Sequence, residues 1–264
     1  MAILKGPLAF KGKLQGLSAY TRTGTEGVIL RQSSGPSKKD IATKPCYANT
    51  RKNNKEFGGR ATASKYIRDG YFALKSISDT SNLSRLNSLL KHIQEMDTIN
   101  EYGKRSVALS LRRELLEGFA LNQNHHFDAI IQNPIESIII REQLSATLTI
   151  PALLPQVNFA APTLYPYFRI VTTLSVVPDL YCHEPKYRPK QSYGAMHPNV
   201  VKTQWMAVDA GCEPIHMELK IDTMPPDDAF SLVLTIGIEQ GTAKSNSLIQ
   251  GVKYAGAGKI LKVG

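Results

Sequence analysis

Ile215-His216-Met217-Glu218-Leu219-Lys220-Ile221 alternates apolar and polar side chains without a break. Successive side chains of a strand point to opposite faces, so this stretch predicts a β-strand with one face buried and one in water. Ala146, Leu148 and Ile150 alternate with Thr147 and Thr149 in the same way. Leu232 to Ile238 is apolar enough to be a central strand, and Phe168 to Val177 and Val200 to Val208 are further β-rich runs. Ile260 to Val263 reads as a last strand after the Gly256-to-Lys259 turn. About five to seven strands separated by turn residues predict an antiparallel β-sandwich over 136–264, and immunoglobulin-like and jelly-roll-like orders both fit that count.

Upstream the period changes. Residues 50–130 read as a helical segment: Phe57, Ala61, Ile67, Tyr71 and Leu74 recur at helical spacing, and Leu83, Leu86, Leu90 and Ile93 form a cleaner stripe behind Ser81 and Asn82 as capping candidates. A third helix is expected over Val107 to Phe119, with Gly118 near its end. Residues 1–49 are Gly-rich and β-prone. Leu17 to Arg22 and Val28 to Arg31 flank the turn Thr23-Gly24-Thr25-Glu26-Gly27 as a hairpin, and Ser33 to Lys39 has the composition of a flexible connector. The expected fold class is therefore α+β: a basic N-terminal hairpin arm, a small helical segment and a C-terminal antiparallel sandwich.

The charge is unevenly placed. Residues 1–69 carry 14 Lys and Arg against 4 acids, whereas residues 70–264 carry 18 of each, so the whole net charge of +10 lies in the first quarter. Such asymmetry points to a polyanion or an acidic partner. Arg51 and Lys55, and Lys65 and Arg68, stand at helical spacing, where like charges repel unless a phosphate backbone lies between them. Arg51, Lys52, Lys55, Arg60, Lys65 and Arg68 are the expected nucleic-acid contacts, with Lys38 and Lys39 adding charge; Tyr47, Phe57 and Tyr66 are interleaved aromatics. A second surface is expected in the proline-interrupted loops. Pro151, Pro155, Pro162 and Pro166 punctuate one, and the next carries Tyr181, Lys186, Tyr187, Arg188, Lys190 and Tyr193 as candidate partner contacts.

Catalytic signatures do not emerge, and no enzyme activity and no cofactor are expected. Gly256-Ala257-Gly258-Lys259-Ile260 lacks the earlier glycine and the following Ser or Thr of a phosphate-cradling loop, and Gly16-Leu17-Ser18-Ala19-Tyr20 fails a nucleophile elbow at its last position. Cys182, His183, His197, Cys212 and His216 show neither Cys nor His pairs at zinc spacing, and His125-His126 with Asp128 reads as an exposed polar loop, so no metal is expected. Three scattered cysteines suit a reducing compartment. The longest apolar run, about ten residues from Ala229 to Ile238, falls short of the roughly 20 of a membrane helix. Lys5-Gly6 after Ile3-Leu4 leaves no signal-peptide core, which predicts a cytoplasmic protein.

Lys5-Gly6-Pro7-Leu8-Ala9-Phe10-Lys11-Gly12-Lys13-Leu14-Gln15-Gly16-Leu17-Ser18-Ala19-Tyr20 resembles a family of uncharacterised hypothetical proteins of Bacteroidetes, as do Arg51 to Gly58 and Gly118-Phe119-Ala120-Leu121-Asn122. The resemblance spans roughly residues 3–125. It implies a bacterial, cytoplasmically made protein and carries over no activity. Two functions are expected of such a chain: a non-catalytic nucleic-acid-binding protein, or a homo-oligomeric filament, shell or phage-type subunit whose arm docks on its neighbour.

Overall fold

The computed structural model describes residues 2–6, 9–22, 24–32, 35–161, 164–194, 196–245 and 248–264. The chain is α+β with a β-rich C-terminal part, and it divides into two compact units, Met1–Arg51 and Lys52–Gly264.

In the first unit β1 (Ala2–Leu4), β2 (Gly12–Leu14), β3 (Leu17–Tyr20) and β4 (Val28–Gln32) form one antiparallel sheet in the order β1-β4-β3-β2. The expected hairpin is the β3–β4 pair; Thr23 of its turn lies outside the described residues. Two further strands join it. Gln15 and Gly16, both at positive φ (41° and 81°), make the tight turn that folds β2 back on β3. The end of the expected connector is ordered differently. Ser37 accepts from the Asp40 N–H at 3.0 Å and donates its own N–H to the Asp40 carboxylate, a capping box that starts α1 (Lys38–Thr43) at Lys38 rather than leaving it in a flexible linker. Ser33 and Ser34 of that connector lie outside the described residues.

The second unit is organised by two long strands. β5 (Glu136–Ile140), β6 (Ser145–Ile150), β7 (Tyr167–Pro178), β8 (Tyr181–His183), β9 (Lys186–Arg188), β10 (Asn199–Lys202), β11 (Met206–Ala207), β12 (Ile215–Lys220), β13 (Phe230–Ser245) and β14 (Leu248–Val263) follow in chain order. β10-β7-β13-β14 form the main sheet with β11 also on β7, β12-β6-β5 form a second, and β8 pairs with β9. β12 is the strand its alternation predicts: Met217 and Leu219 are buried, while His216, Glu218 and Lys220 are exposed. Leu232, Leu234, Ile236 and Ile238 project from one face of β13 into a core shared with Leu148, Ile150, Met217 and Leu219 of the smaller sheet. Pro162, one of the prolines expected to punctuate the β6–β7 connection, lies outside the described residues.

The other face of the main sheet is small: Thr173, Ser175, Val233, Thr235 and Gly237. That relief admits a helical layer. α2 (Ala48–Gly70) and α3 (Asn82–Glu95) press Ile67, Leu86, Leu90 and Ile93 onto it, with Leu74 and Ile77 from the turn between them. A Cβ at Gly70 would fall 2.2 Å from the Ser175 hydroxyl oxygen, so α2 crosses the sheet at near backbone contact. A last short helix, α4 (Phe127–Ile130), precedes β5.

Four helical expectations fail: Leu83, at one end of its stripe, is 41% exposed, and Ser81 makes no side-chain cap to α3. Val107 to Phe119 is not a helix but two 3₁₀ turns, Leu109–Leu111 and Arg113–Leu116, with Leu111 turned to solvent. Its backbone is taken by long-range partners: Val107 exchanges bonds with Leu180, Ser110 N–H donates to Asp179, and Gly118 N–H donates to Ile260 O at 2.9 Å. Phe57 is 52% exposed rather than in the core stripe. The neighbouring position, Glu56, turns inward instead, to meet Arg105.

Candidate nucleic-acid interface

The first unit holds nine Lys and Arg and two acids. Both acids are paired within it: Glu26 with Lys5 at 3.8 Å, and Asp40 with Lys44 at 2.7 Å. Lys44 and Ser37 together hold the Asp40 carboxyl below the usual carboxylate range. Arg51 is committed too. Its guanidinium donates to Ile41 O at 2.7 Å and Lys44 O at 3.0 Å, tying the start of α2 to the end of α1. Among the described residues, Lys11, Lys13, Arg22, Arg31, Lys38 and Lys39 then remain exposed with no carboxylate partner.

Strand register gathers part of this charge on one face. Lys13 opposes Ser18, and Ser18 opposes Arg31, so the two cations share a row across three strands. Tyr20 lies on the same face, 36% exposed, with the Arg31 guanidinium 5.8 Å from its ring centroid. A basic row beside an exposed aromatic is an arrangement that takes phosphates and a stacked base together.

The other expected contacts belong to α2 and are spent differently. Lys55 binds Glu184 at 2.8 Å, a bond that raises its amine above the usual lysine range. Lys52 stands 5.8 Å from the Tyr102 ring centroid, and Arg60 lies over Phe57 with its Nε buried and unbonded. Lys65 is exposed and has no ion pair among the described residues, and Arg68 is half-buried. These residues do not form a stripe: Lys52 and Arg68 point about 160° apart around the helix axis. Tyr66, half-buried, packs on the helical core. Lys38 and Lys39 remain with the first unit, and Lys11, Lys13, Arg22 and Arg31 join them. The sequence carried these four as charges, but only the pairing of β2, β3 and β4 puts Lys13 and Arg31 in one row.

No match was found when the chain was compared with protein-family models, curated proteins and solved structures.

The tyrosine-bearing loop divides. Tyr187 is buried against Gly59 and donates to Arg105 O at 2.9 Å, and Tyr193 is buried and donates to the Asp227 carboxylate at 2.5 Å. Their burial, the larger effect, and the facing carboxylates push both phenols well above the usual tyrosine range. Tyr181 is half-buried under Lys190, whose Nζ lies 4.8 Å from its ring, while Lys186 and Arg188 are exposed. The two buried tyrosines thus anchor the loop from below. His216 Nδ1 sits 3.0 Å from Thr149 Oγ1. Among the described residues no group of three His, Cys, Asp or Glu side chains is placed to hold a metal ion, and no helix is long and apolar enough to cross a membrane.

Proposed function

We propose that the protein is a non-catalytic, cytoplasmic nucleic-acid-binding protein whose first unit contacts the phosphate backbone. The observation that carries this reading is the charge balance of that unit: both of its acids are neutralised internally, and six exposed cations have no acidic partner among the described residues. Lys13, Arg31 and Tyr20 form the centre of the surface, and Lys11, Arg22, Lys38 and Lys39 of the same unit add exposed charge. Phosphate neutralisation releases counterions, so the affinity falls steeply with salt.

The triple variant Lys13→Glu, Arg31→Glu, Lys38→Glu tests it. All three side chains are exposed, so the fold should persist. If each wild-type cation meets one phosphate, the slope of log affinity against log salt should shrink by roughly 3 on a DNA or RNA duplex. An unchanged slope would sink the assignment.

A second reading, a homo-oligomeric filament, shell or phage-type subunit, has its own support. Ala19, Val28 and Ile29 are the buried apolar residues of the first unit, while Ile3, Leu14 and Leu17 stay exposed. Among the described residues, β1 and β2 have no strand partner on their outer edges. Unpaired edges beside uncovered apolar side chains suit strand addition by a neighbour. In this reading the two larger sheets of the second unit form the subunit's sandwich body, of immunoglobulin-like or jelly-roll-like type. Light scattering of protein purified without nuclease separates the two: nucleic acid that salt removes supports the first, and a large salt-resistant mass without nucleic acid supports the second.

A further inference from the structure

The β13–β14 register breaks between the pairs Glu239–Gly256 and Gly241–Gly251, so β14 spends residues 252–255 where β13 spends only Gln240. Bulges of this kind re-aim side chains and recur beside functional sites. Tyr254 sits within this one at φ +62°, a left-handed conformation that a tyrosine adopts only under constraint. Its N–H donates to Ser76 O at 2.7 Å, which fixes the bulge, and the residue is left 56% exposed.

That ring lines a cleft of about 400 Å³ at the end of α2. Phe72, 63% exposed, lines it too, as do Arg68 and Lys75. Neither cation has a carboxylate partner among the described residues; Lys75 Nζ stands 5.2 Å from the Phe72 ring centroid. Two acids share the cleft. Asp79 is already held by Arg85 at 3.1 Å, Ser81 Oγ at 2.9 Å and the Gln123 N–H at 2.8 Å. Asp69 is exposed, and it leaves the free charge of the cleft positive. Exposed aromatic faces are otherwise scattered singly over a protein surface; here two share one concavity with two unpaired cations.

We propose that this cleft binds a nucleotide, its base stacked on Phe72 and Tyr254 and its phosphate held by Arg68 and Lys75. The aromatic faces suit any planar base, and the cations select the phosphate that a nucleoside lacks. The site lies wholly within the second unit and does not depend on the reading of the first. A free mononucleotide and a nucleotide within a strand offer the same chemistry.

Calorimetric titration of the full chain with AMP, adenosine, orthophosphate and the octanucleotide (dA)8 tests the assignment. AMP should bind at least about tenfold more tightly than adenosine or orthophosphate alone. Tyr254→Gly removes the ring while giving the bulge the residue that its φ favours, so its melting temperature should stay level or rise. Its affinity for AMP should nevertheless fall by roughly tenfold or more. The double variant Arg68→Gln, Lys75→Gln should bind AMP no better than adenosine. A Tyr254-dependent affinity for (dA)8 above that for AMP places a strand residue in the cleft; no such gain assigns it to the free nucleotide. Binding of both AMP and (dA)8 that is undetectable at millimolar concentration, or unaltered in Tyr254→Gly, overturns the proposal.

Discussion

Glu56→Ala should destabilise the second unit by about 3–5 kcal/mol, the range for removing one partner of a buried ion pair. Glu56 is 1% exposed. Its Oε1 accepts from the Gly103 N–H at 2.8 Å and Arg105 Nε at 2.7 Å, and its Oε2 from Arg105 Nη2 at 2.7 Å. The pair therefore ties the first turns of α2 to the segment after α3. Losing the carboxylate strands the Arg105 guanidinium, while the main-chain carbonyl of Arg105 keeps the hydrogen bond donated by the buried Tyr187 hydroxyl. Chemical denaturation of Glu56→Ala, Arg105→Ala and the double variant reads this directly. The double variant should cost much less than the sum of the singles, because each single leaves a charge or acceptor unpaired. Additive losses would show that Glu56 acts by packing alone.

The same carboxylate makes stability fall in acid. Burial pushes Glu56 up, but the bonds from Arg105 and Gly103 outweigh it and hold its pKa below the usual glutamate value. Burial likewise opposes, and hydrogen bonds overcome, at Asp79 and Asp97; Asp97 accepts from Ser106, Ile99 and Asn100, and it is held well below the ordinary aspartate range. A depressed pKa means that the unfolded chain takes up protons first as pH falls. These three contributions are complete above the unfolded pKa values, near 4. They are lost as pH drops through the lower folded values. Asp179 works in the opposite sense: burial raises its pKa, so its ionisation penalises the fold at higher pH. Unfolding free energy measured from pH 7 to 3 should decline below about pH 5, and Glu56→Gln should flatten the decline. A curve unchanged by that substitution would remove Glu56 from the account.

Strand identity was legible where one residue's burial was decided by its immediate neighbours. The alternation of Ile215 to Ile221 is β12, and the apolar run ending at Ile238 is a strand buried on both faces because a sheet covers one and helices the other. Legibility ended where distant backbone intervened. Leu111 and Leu115 stand at helical spacing, yet their segment bonds to Asp179 and β14 instead, at sequence separations that no periodicity registers. The basic surface shows the same divide. Fourteen cations in the first 69 residues are visible as composition, but Lys55 is spent on Glu184, 129 positions away. Tyr187 and Tyr193 read as a surface motif because tyrosine suits both a core and a contact, and only their hydroxyl partners distinguish the two.

Ile77→Ala should cost about 2–5 kcal/mol, the range for large-to-small changes at fully buried sites. Ile77 is 0% exposed and occupies a pit formed by glycines of the β13–β14 hairpin. A Cβ at Gly237 would lie 2.8 Å from its Cδ1 and 2.6 Å from Leu74 Cδ2, one at Gly258 would lie 3.0 Å from the Ile77 Cδ1, and one at Gly256 would lie 3.3 Å from its Cγ2. Glycine in a strand normally weakens the sheet; here its missing side chain is the space the helical layer needs. Gly237→Ala should therefore destabilise by about 1–3 kcal/mol through overpacking, although alanine is the better strand residue in isolation. Once Ile77 is shortened, the added methyl group enters space that has been vacated. The double variant Gly237→Ala, Ile77→Ala should be more stable than the summed losses by roughly 0.5 kcal/mol or more, with the remaining contact to Leu74 limiting the rescue. Strict additivity would mean that the two side chains do not share that space, and the packing of the helical layer on the glycine pit would have to be redrawn.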